Sequence, residues 1–293
     1  MPFFFRVTAA YILCDGCNLP VPEVVNVLSA SQSFSSPPTN VLPISRDIRD
    51  TRLFLSSCLP PLHAQFAEVH RLIEWVELNR LLGVEHFTIY VENTTEEVRR
   101  VLDFYASTGV VELLTWNIPV SDIHYHGQLA AINDCLYRNK HRTKYLMITD
   151  ADEFLIPQRS SEYTLIDLIK KLGDDKSVYM FRHTRFHTMN SDFKPDSVNL
   201  LTQNALYRRN EINPYSHRSK LLVSTEDIVT LGIHTTWAAN VGKSTSVVET
   251  DMGLLHHYRG EAPVDIVSNN VTSKYRQNLE AAVQKVHTAL NLT

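Results

Sequence analysis

Residues 144–154 read KYLMITDADEF, and this stretch decides how the rest of the chain is interpreted. Residues 145–148 are apolar in succession rather than in alternation, which is typical of a strand buried on both faces of a parallel sheet. Asp150 and Asp152 follow the carboxyl end of this strand. Ligands of open α/β sheets bind outside that end of the strands. The stretch therefore predicts a buried strand with a ligand site directly behind it.

The segments before this strand alternate between helix and strand patterns. Apolar residues recur at three- and four-residue steps from about residue 62 to Gly83, which predicts a helix that ends at this glycine. Four further elements follow in the order strand, helix, strand, helix, at residues 86–92, 94–107, 110–116 and 127–139. This alternation predicts an α/β domain with a central mixed, largely parallel sheet flanked by helices.

Composition limits the class of protein. The chain has 293 residues, 44% of them hydrophobic, which is enough for one large domain or two small ones. Its net charge is −4 and its basic residues are scattered, which excludes nucleic acid as a partner. Residues 1–50 are interpreted as an N-terminal strand and a Pro/Ser-rich loop, and residues 51–293 as the main domain. The apolar N-terminal stretch, residues 1–14, is too short to span a membrane and contains Arg6.

Cys14 and Cys17 form a CDGC pair near the start of the chain. No second pair and no nearby histidine completes a zinc site. Asp15 and Gly16 predict a turn, whereas a redox CxxC pair opens a helix. Surface thiols or one disulfide are therefore the preferred interpretation.

Asp150 and Asp152 predict a metal site. Two carboxylates this close repel each other unless a cation lies between them. Mg²⁺ or Mn²⁺ suits such a pair, because these ions take oxygen ligands and keep positions for phosphate oxygens. The alternative is structural, since paired aspartates also cap helices and turns. The apolar strand before the pair, and the helix that begins near Gly127 and Gln128, favour the metal and phosphate interpretation.

Several stretches together resemble the domain of glycosyltransferase family 92. They read LIEWVELNRLLGVEHFTIYVEN, YHGQLAAINDCLYR, YLMITDADEFLIP, GIH at 232–234 and HHYRG at 256–260, and the match runs from about residue 52 to residue 260. The resemblance implies a GT-A-like, nucleotide-diphospho-sugar transferase fold for residues 51–293. It also implies Mn²⁺ or Mg²⁺ as cofactor, a UDP-sugar as donor and a glycan as acceptor. Galactose from UDP-galactose would be transferred with inversion.

The resemblance implies roles for the residues around the paired aspartates. Asp150 would face the ribose, or the metal through water, and Asp152 would ligate the metal directly. Enzymes of this fold commonly take a third ligand from a late segment, and His257 is the first choice, with His256 next to it. His234 is a further candidate, either as a ligand or in the acceptor site.

Other candidates would contact the donor or the acceptor. Arg218, Lys220 and Arg259 could reach the diphosphate, where an arginine gives a bidentate contact and a lysine a point charge. Gln128 would contact the donor sugar or the nucleotide, and Asn133 the sugar. Three aromatic residues could stack on a sugar ring: Phe186, Tyr215 and Trp237.

An inverting transfer needs a general base that takes the proton of the acceptor hydroxyl. Glu153 is adjacent to the paired aspartates, although the alternation of side chains could turn it into the fold. Asp192 and Glu211 lie in the polar segment that follows. The sequence leaves the choice among these three catalytic candidates open.

Two other classes of function compete with this interpretation. Haloacid dehalogenase-type phosphatases also place a DxD after an apolar strand, with the first Asp as nucleophile and the second as acid and base. They have Thr or Val two residues after the second Asp, where this chain has Phe154, and their motif comes early in the chain. A glycan-binding protein that has kept the fold and lost turnover remains a second alternative.

The resemblance also implies a location. Members of the family are type II Golgi membrane proteins, so the Golgi lumen or membrane is expected. These 293 residues contain no anchor, which suggests a truncated start. Sequons at Asn93, Asn270 and Asn291 are compatible with a secretory glycoprotein.

Overall fold

The computed structural model describes residues 23–26, 41–44, 52–120, 122–188, 200–260 and 265–292. The chain divides into two units. Within residues 10–50, strands β1 (Val24–Val25) and β2 (Leu42–Pro43) form an antiparallel pair. The predicted N-terminal strand and the CDGC pair lie outside the described residues.

The main unit contains the α/β elements. Its strands are β3 (Leu53–Leu62), β4 (His86–Val91), β5 (Val111–Thr115), β6 (Thr143–Ile148), β7 (Glu153–Pro157), β8 (Val178–Phe181), β9 (His183–Phe186), β10 (Tyr207–Arg209), β11 (Lys220–Ser224), β12 (Ile228–Leu231), β13 (Thr236–Ala239), β14 (Thr245–Val247), β15 (Gly253–Tyr258) and β16 (Ile266–Ser268). Its α-helices are α1 (Val69–Leu81), α2 (Glu96–Ser107), α3 (Gln128–Asn139), α4 (Leu165–Leu172), α5 (Leu201–Asn204) and α6 (Arg276–Leu290), and two 3₁₀ turns cover His124–Gly127 and Val271–Tyr275.

The central sheet has seven strands in the order β14-β8-β11-β6-β3-β4-β5. Strands β6, β3, β4 and β5 are parallel to one another, β14 is parallel to β8, and β11 runs antiparallel to both of its neighbours. Apolar residues on its two faces belong to two separate clusters, one with α1, α2, α4 and α6 and one with α3. The predicted α/β class with a central mixed, largely parallel sheet and flanking helices is confirmed.

A second sheet carries the late histidines. Its order is β16-β10-β9-β15-β7, in which β15 is parallel to β9 and antiparallel to β7. The register places His257 opposite Glu153 on one side and opposite Arg185 on the other. This sheet therefore brings the histidine segment to the turn that follows β6.

The start of the first helix was predicted wrongly. The helix expected from about residue 62 begins at Val69, because Ala64 and Gln65 have φ angles of 54° and 52°, in the left-handed region that a right-handed helix cannot contain. Residues 53–62 instead form β3, which lies between β4 and β6 and was not predicted. Pro60 and Pro61 near its end argue against a central strand by pattern alone.

The other predicted elements are present with ends shifted by at most two residues. The second helix begins after Thr95, whose side chain accepts a hydrogen bond from Val98 N. Cys58 in β3 and Cys135 in α3 form a buried disulfide that ties this helix to the centre of the sheet. None of the helices in the described ranges is both long enough and apolar enough to cross a membrane.

Candidate active site

The acidic turn, residues 150–153, joins β6 to β7. The backbone N of Glu153 donates to the Asp150 carbonyl at 3.0 Å, and the Glu153 Oε2 accepts from the backbone N of Asp150 at 3.0 Å. The side chain of Glu153 thus folds back onto the turn and fixes its shape. Asp150 and Asp152 project from this turn at the carboxyl end of the central strand β6.

A buried lysine lies under the acidic turn. Lys220 Nζ of β11 is 3.3 Å from Asp150 Oδ2 and 3.0 Å from Glu153 Oε2. Burial alone lowers the pKa of Lys220, but the two carboxylates raise it above its usual value, so the ammonium stays charged. The surrounding cavity walls keep part of the Asp150 carboxylate from bulk water, which raises its pKa although 44% of the side chain is exposed; Glu153 adds to this effect and Lys220 opposes it. The lysine therefore holds two like charges together.

His257 approaches the turn from the second sheet. Its Nε2 is 3.4 Å from Asp152 Oδ2, and its Nδ1 is 3.9 Å from Glu153 Oε1. His256 points to the opposite side of β15, because successive strand residues alternate. There it is fully buried, stacks on Phe186 and contacts Gln158 Nε2 at 2.9 Å. The strand alternation thus places His257, and not His256, beside Asp152.

A cavity of about 960 Å³ opens over the acidic turn. It lies at the carboxyl ends of β3 and β6, where α/β sheets bind ligands. Its lining residues are Leu59, Pro60, Pro61, Leu62, His63, Phe66, Glu68, Arg71, His124, Tyr125, Gln128, Asp150, Ala151, Asp152, Glu153, Arg185, Thr188, Arg218, Ile233, His234, His257, Tyr258, Arg259 and Gly260. The cavity is large enough for a ligand of the size of a nucleotide sugar.

Three arginines line the same cavity as the acidic turn. Arg185, Arg218 and Arg259 line it, and no carboxylate within the described ranges forms an ion pair with any of them. Burial lowers the pKa of Arg185, and the positive charges of Arg209, Arg218 and Arg259 lower it further. The guanidinium groups remain charged nonetheless, because their usual pKa is so high. Uncompensated positive charge of this kind favours an anionic ligand.

The structure brings many of the predicted residues together. Gln128 Nε2, at the start of α3, is 3.4 Å from Asp150 Oδ1. Within the same cavity lie Asp152, Glu153, Arg218, His234, His257 and Arg259.

Other predicted residues lie away from the cavity. Asn133 is buried, and its amide makes hydrogen bonds of 2.7 and 2.8 Å with the backbone of Leu231, so it joins α3 to β12 instead of facing a sugar. Lys220 is buried under the turn, so its ammonium is not at the surface that a diphosphate would reach. Glu211 is exposed and does not line the cavity, and Asp192 lies outside the described residues.

The three aromatic candidates also lie elsewhere. Phe186 is fully buried between His256 and Tyr258, which rules out stacking on a sugar. Trp237 and Tyr215 are 62% and 66% exposed, and neither lines the cavity.

Sequence reasoning missed Arg185, His183 and Asn213. His183 Nε2 is 2.9 Å from His257 Nδ1, and Asn213 Nδ2 is 2.9 Å from His183 Nδ1. His183 and Arg185 are two residues apart and therefore share one face of β9, but residues 182–185 are polar in succession, so no alternation marked that face in the sequence. No spacing along the chain could pair His183 with His257, which is 74 residues later.

The residues present fit a divalent cation that also binds phosphate. In the described part of the chain, no group of three His, Cys, Asp or Glu side chains is arranged to hold a metal by itself. Asp152 and His257 supply two donor atoms 3.4 Å apart, close to the separation of about 3 Å between adjacent ligands of an octahedral ion. Mg²⁺ sites of this kind use one or two protein ligands and complete the shell with phosphate oxygens and water.

Fold and site together define an α/β domain with an acidic, arginine-lined cavity at the ends of parallel strands. The chain belongs to glycosyltransferase family 92, since the model of that family matches residues 54–292. The family resemblance of the motifs is thereby confirmed, and a phosphatase has no support.

Two curated relatives are galactosyltransferases by name. The chain is similar to Beta-1,4-galactosyltransferase galt-1 of Caenorhabditis elegans, with 29% identity over 242 residues, 75% of this chain and 53% of the relative. It is similar to Galactan beta-1,4-galactosyltransferase GALS2 of Arabidopsis thaliana, with 32% identity over 103 residues, 31% of this chain and 18% of the relative. The chain thus spans about half the length of the first relative and less of the second.

Among solved structures, the chain is similar to S. aureus TarS 1-349 in complex with UDP-GlcNAc, with 10% identity, a TM-score of 0.43, and coverage of 80% of this chain and 66% of that one.

Proposed function

We propose that this chain is a metal-dependent, inverting glycosyltransferase domain that moves galactose from UDP-galactose to a glycan acceptor. Family membership and the names of the two relatives support the reaction class and the sugar. The observation that carries the proposal is the Asp152 and His257 pair, 3.4 Å apart, in one cavity with three unpaired arginines.

The site residues divide the work of stabilising a leaving diphosphate. A divalent ion held by Asp152 and His257 would neutralise the charge that develops on the β-phosphate. Arg218 and Arg259 line the cavity next to this pair, where they can contact phosphate oxygens. Asp150 is held by Lys220 and Gln128, so its orientation is fixed before a ribose or a metal-bound water arrives. Placement and charge neutralisation supply most of the mechanism.

The general base is the least constrained part of the proposal. Glu153 is a poor candidate, because its Oε2 already contacts Lys220 and the backbone N of Asp150 and its Oε1 faces His257. Asp192 and Glu211 stay as predictions for this role. Either would have to reach an acceptor hydroxyl held against the donor sugar.

We also propose that the chain works in the Golgi lumen. The buried disulfide between Cys58 and Cys135 supports an oxidising compartment, since cytosolic thiols are kept reduced.

The decisive experiment compares Asp152→Ala with the unaltered protein. Transfer or hydrolysis of UDP-galactose should require Mn²⁺ and should be lost in the variant, while the circular dichroism spectrum is unchanged. Asp251→Ala is the matched control, because Asp251 is exposed and, among the described residues, forms its ion pair with Arg159 on the surface. Full activity of Asp152→Ala, or activity in excess chelator, would overturn the assignment.

The donor and the competing function can be separated in the same system. A panel of nucleotide sugars should raise the melting temperature only with Mn²⁺, and UDP-galactose most of all, because a ligand bound only by the folded state stabilises it. Stabilisation without turnover on any acceptor would favour a glycan-binding protein that has lost catalysis.

A further inference from the structure

A row of three hydrogen-bonded side chains begins at His257, the candidate metal ligand. His183 Nε2 is 2.9 Å from His257 Nδ1, the ring nitrogen that faces away from Asp152. Asn213 Nδ2 is in turn 2.9 Å from His183 Nδ1. The rings of His183 and His257 meet edge to face, with 5.1 Å between centroids and 73° between planes. Each nitrogen of His183 therefore has one defined partner.

Asn213, at the far end of this row of side chains, is anchored by hydrogen bonds to its neighbours. The backbone N of Asn213 donates to the His183 carbonyl at 2.9 Å, and Arg182 Nε donates to the Asn213 carbonyl at 2.8 Å. Asn213 is thus held on β9 by main chain and side chain together. His183 itself is 3% exposed, so its ring has little freedom to turn.

The two ring nitrogens of the buried His183 face one partner each, Asn213 at Nδ1 and His257 at Nε2. A neutral imidazole has one N–H donor and one acceptor nitrogen. The three side chains can therefore be connected by hydrogen bonds in two directions only.

The two directions have opposite consequences for His257. If the Asn213 amide donates, His183 Nε2–H donates to His257 Nδ1, and the proton of His257 sits on Nε2, facing Asp152. If the amide is turned so that its oxygen accepts, His183 Nδ1 donates to it, and His257 Nδ1–H donates to His183 Nε2. The Nε2 lone pair of His257 is then free for a cation. Both arrangements contain the same protons and differ in the tautomers of the two rings and in the orientation of the Asn213 amide.

We propose that His183 and Asn213 are positioning residues that hold His257 in the orientation and tautomer required to ligate a divalent cation through Nε2. The inference rests on the proposed function, because it takes His257 as a ligand. An asparagine suits the end of this row of side chains, since its amide can either donate to His183 or accept from it. Partners of this kind raise the basicity of the ligand and fix its ring, and their loss typically weakens metal binding about 10- to 100-fold.

Two variants of His183 separate hydrogen bonding from packing. His183→Phe keeps a ring and removes both nitrogens, so the Mn²⁺ dissociation constant should rise about 10- to 100-fold. His183→Gln keeps an amide near the Nε2 position that can accept from His257 Nδ1–H, and should recover most of the affinity. His256→Phe is the matched control, because His256 is buried like His183 and adjoins His257 on β15, but faces the core. It should lower stability and leave Mn²⁺ affinity unchanged.

Mn²⁺ binding is measured on the full chain without substrate, by calorimetry and by the loss of the free-ion electron paramagnetic resonance signal. Nitrogen-15 spectra of the histidine rings report the tautomers directly. Mn²⁺ is paramagnetic, so Mg²⁺ is used for these spectra. Addition of Mg²⁺ should move the proton of His257 from Nε2 to Nδ1 and that of His183 from Nε2 to Nδ1.

The possible outcomes separate a failure of this inference from a failure of the proposed function. Equal Mn²⁺ affinity of His183→Phe and the unaltered protein, or a His257 that still carries its proton on Nε2 in saturating Mg²⁺, would overturn this inference alone. Absence of Mn²⁺ binding to the unaltered protein would overturn the proposed function and this inference with it. An equal loss of affinity in His183→Phe and His256→Phe would also overturn the inference, since general destabilisation would then explain both.

Discussion

Replacement of Lys220 with methionine tests how the acidic turn is held. Methionine keeps an unbranched apolar side chain in the buried space and removes the ammonium that contacts Asp150 at 3.3 Å and Glu153 at 3.0 Å. The variant leaves two carboxylates side by side without a cation. We expect it to be strongly destabilised even though Lys220 never reaches the ligand cavity.

The magnitude follows from the burial of each partner. Loss of one partner from a buried ion pair costs about 3 to 5 kcal/mol, because a charge is left uncompensated. Here the Asp150 side chain is 44% exposed, so water can solvate part of its charge, and Glu153 still accepts from the backbone N of Asp150. The cost should therefore be near the lower limit, about 3 kcal/mol. For a domain of this size that is a fall in melting temperature of about 6 to 10 °C.

Equilibrium unfolding in urea measures this free energy. Lys144→Met is the matched control, because Lys144 pairs with Asp174 at 2.8 Å where both side chains are more than one third exposed, and such surface pairs contribute at most about 1 kcal/mol. In the double variant Lys220→Met, Glu153→Gln the more deeply buried of the two stranded carboxylates is gone and only Asp150, which is 44% exposed, keeps its charge, so more than half of the lost stability should return. A loss in Lys220→Met no larger than in Lys144→Met would refute the reasoning.

Two further predictions concern stability. The His86 ring and the Arg142 guanidinium lower the pKa of Glu112 from 4.5 to about 2, so its stabilisation is complete above pH 4.5 and is lost as the pH falls toward 2. Glu112→Gln should remove about 2 kcal/mol of unfolding free energy at pH 7 and should make that free energy fall less steeply between pH 5 and 3. Urea unfolding at each pH measures this, and a fall as steep as in the unaltered protein would contradict the prediction. Replacing Cys58 and Cys135 together with serine should remove about 4 kcal/mol, because the disulfide closes a loop over a sequence separation of 77 residues. Equal urea midpoints of the oxidised and reduced unaltered protein would contradict that assignment.

Local patterns were sufficient for most of the α/β order. The helix and strand periods of residues 86–148 depend on near neighbours, and these elements appear where they were predicted. Strand β3 was missed because Pro60 and Pro61 argue against a central strand, and the early helix was started too soon because the left-handed turn at Ala64 and Gln65 has no signal in its residue types. Tertiary pairing outweighed local propensity at both places.

The site was predictable only in part, for the same reason. Asp150 and Asp152 could be found because the motif is local and follows a recognisable strand. The preference for His257 over His256 rested on the family resemblance, and the physical basis is the register of β15 against β7, which places His257 opposite Glu153 and turns His256 into the core. Three-dimensional contact gave Asn133 a structural role that its position in the helix did not reveal.

By itself, the amino-acid sequence determined the class of sheet, the position of the acidic pair behind a buried strand and the family. Only the tertiary structure decided what surrounds that pair: Lys220 beneath it, His183 and Asn213 behind His257, and arginines without a carboxylate partner in the same cavity. The physical reason is the separation along the sequence of the residues that interact. Periodicity and turn chemistry act between residues a few positions apart, whereas charge compensation and hydrogen-bond direction at the site join residues about 70 positions apart.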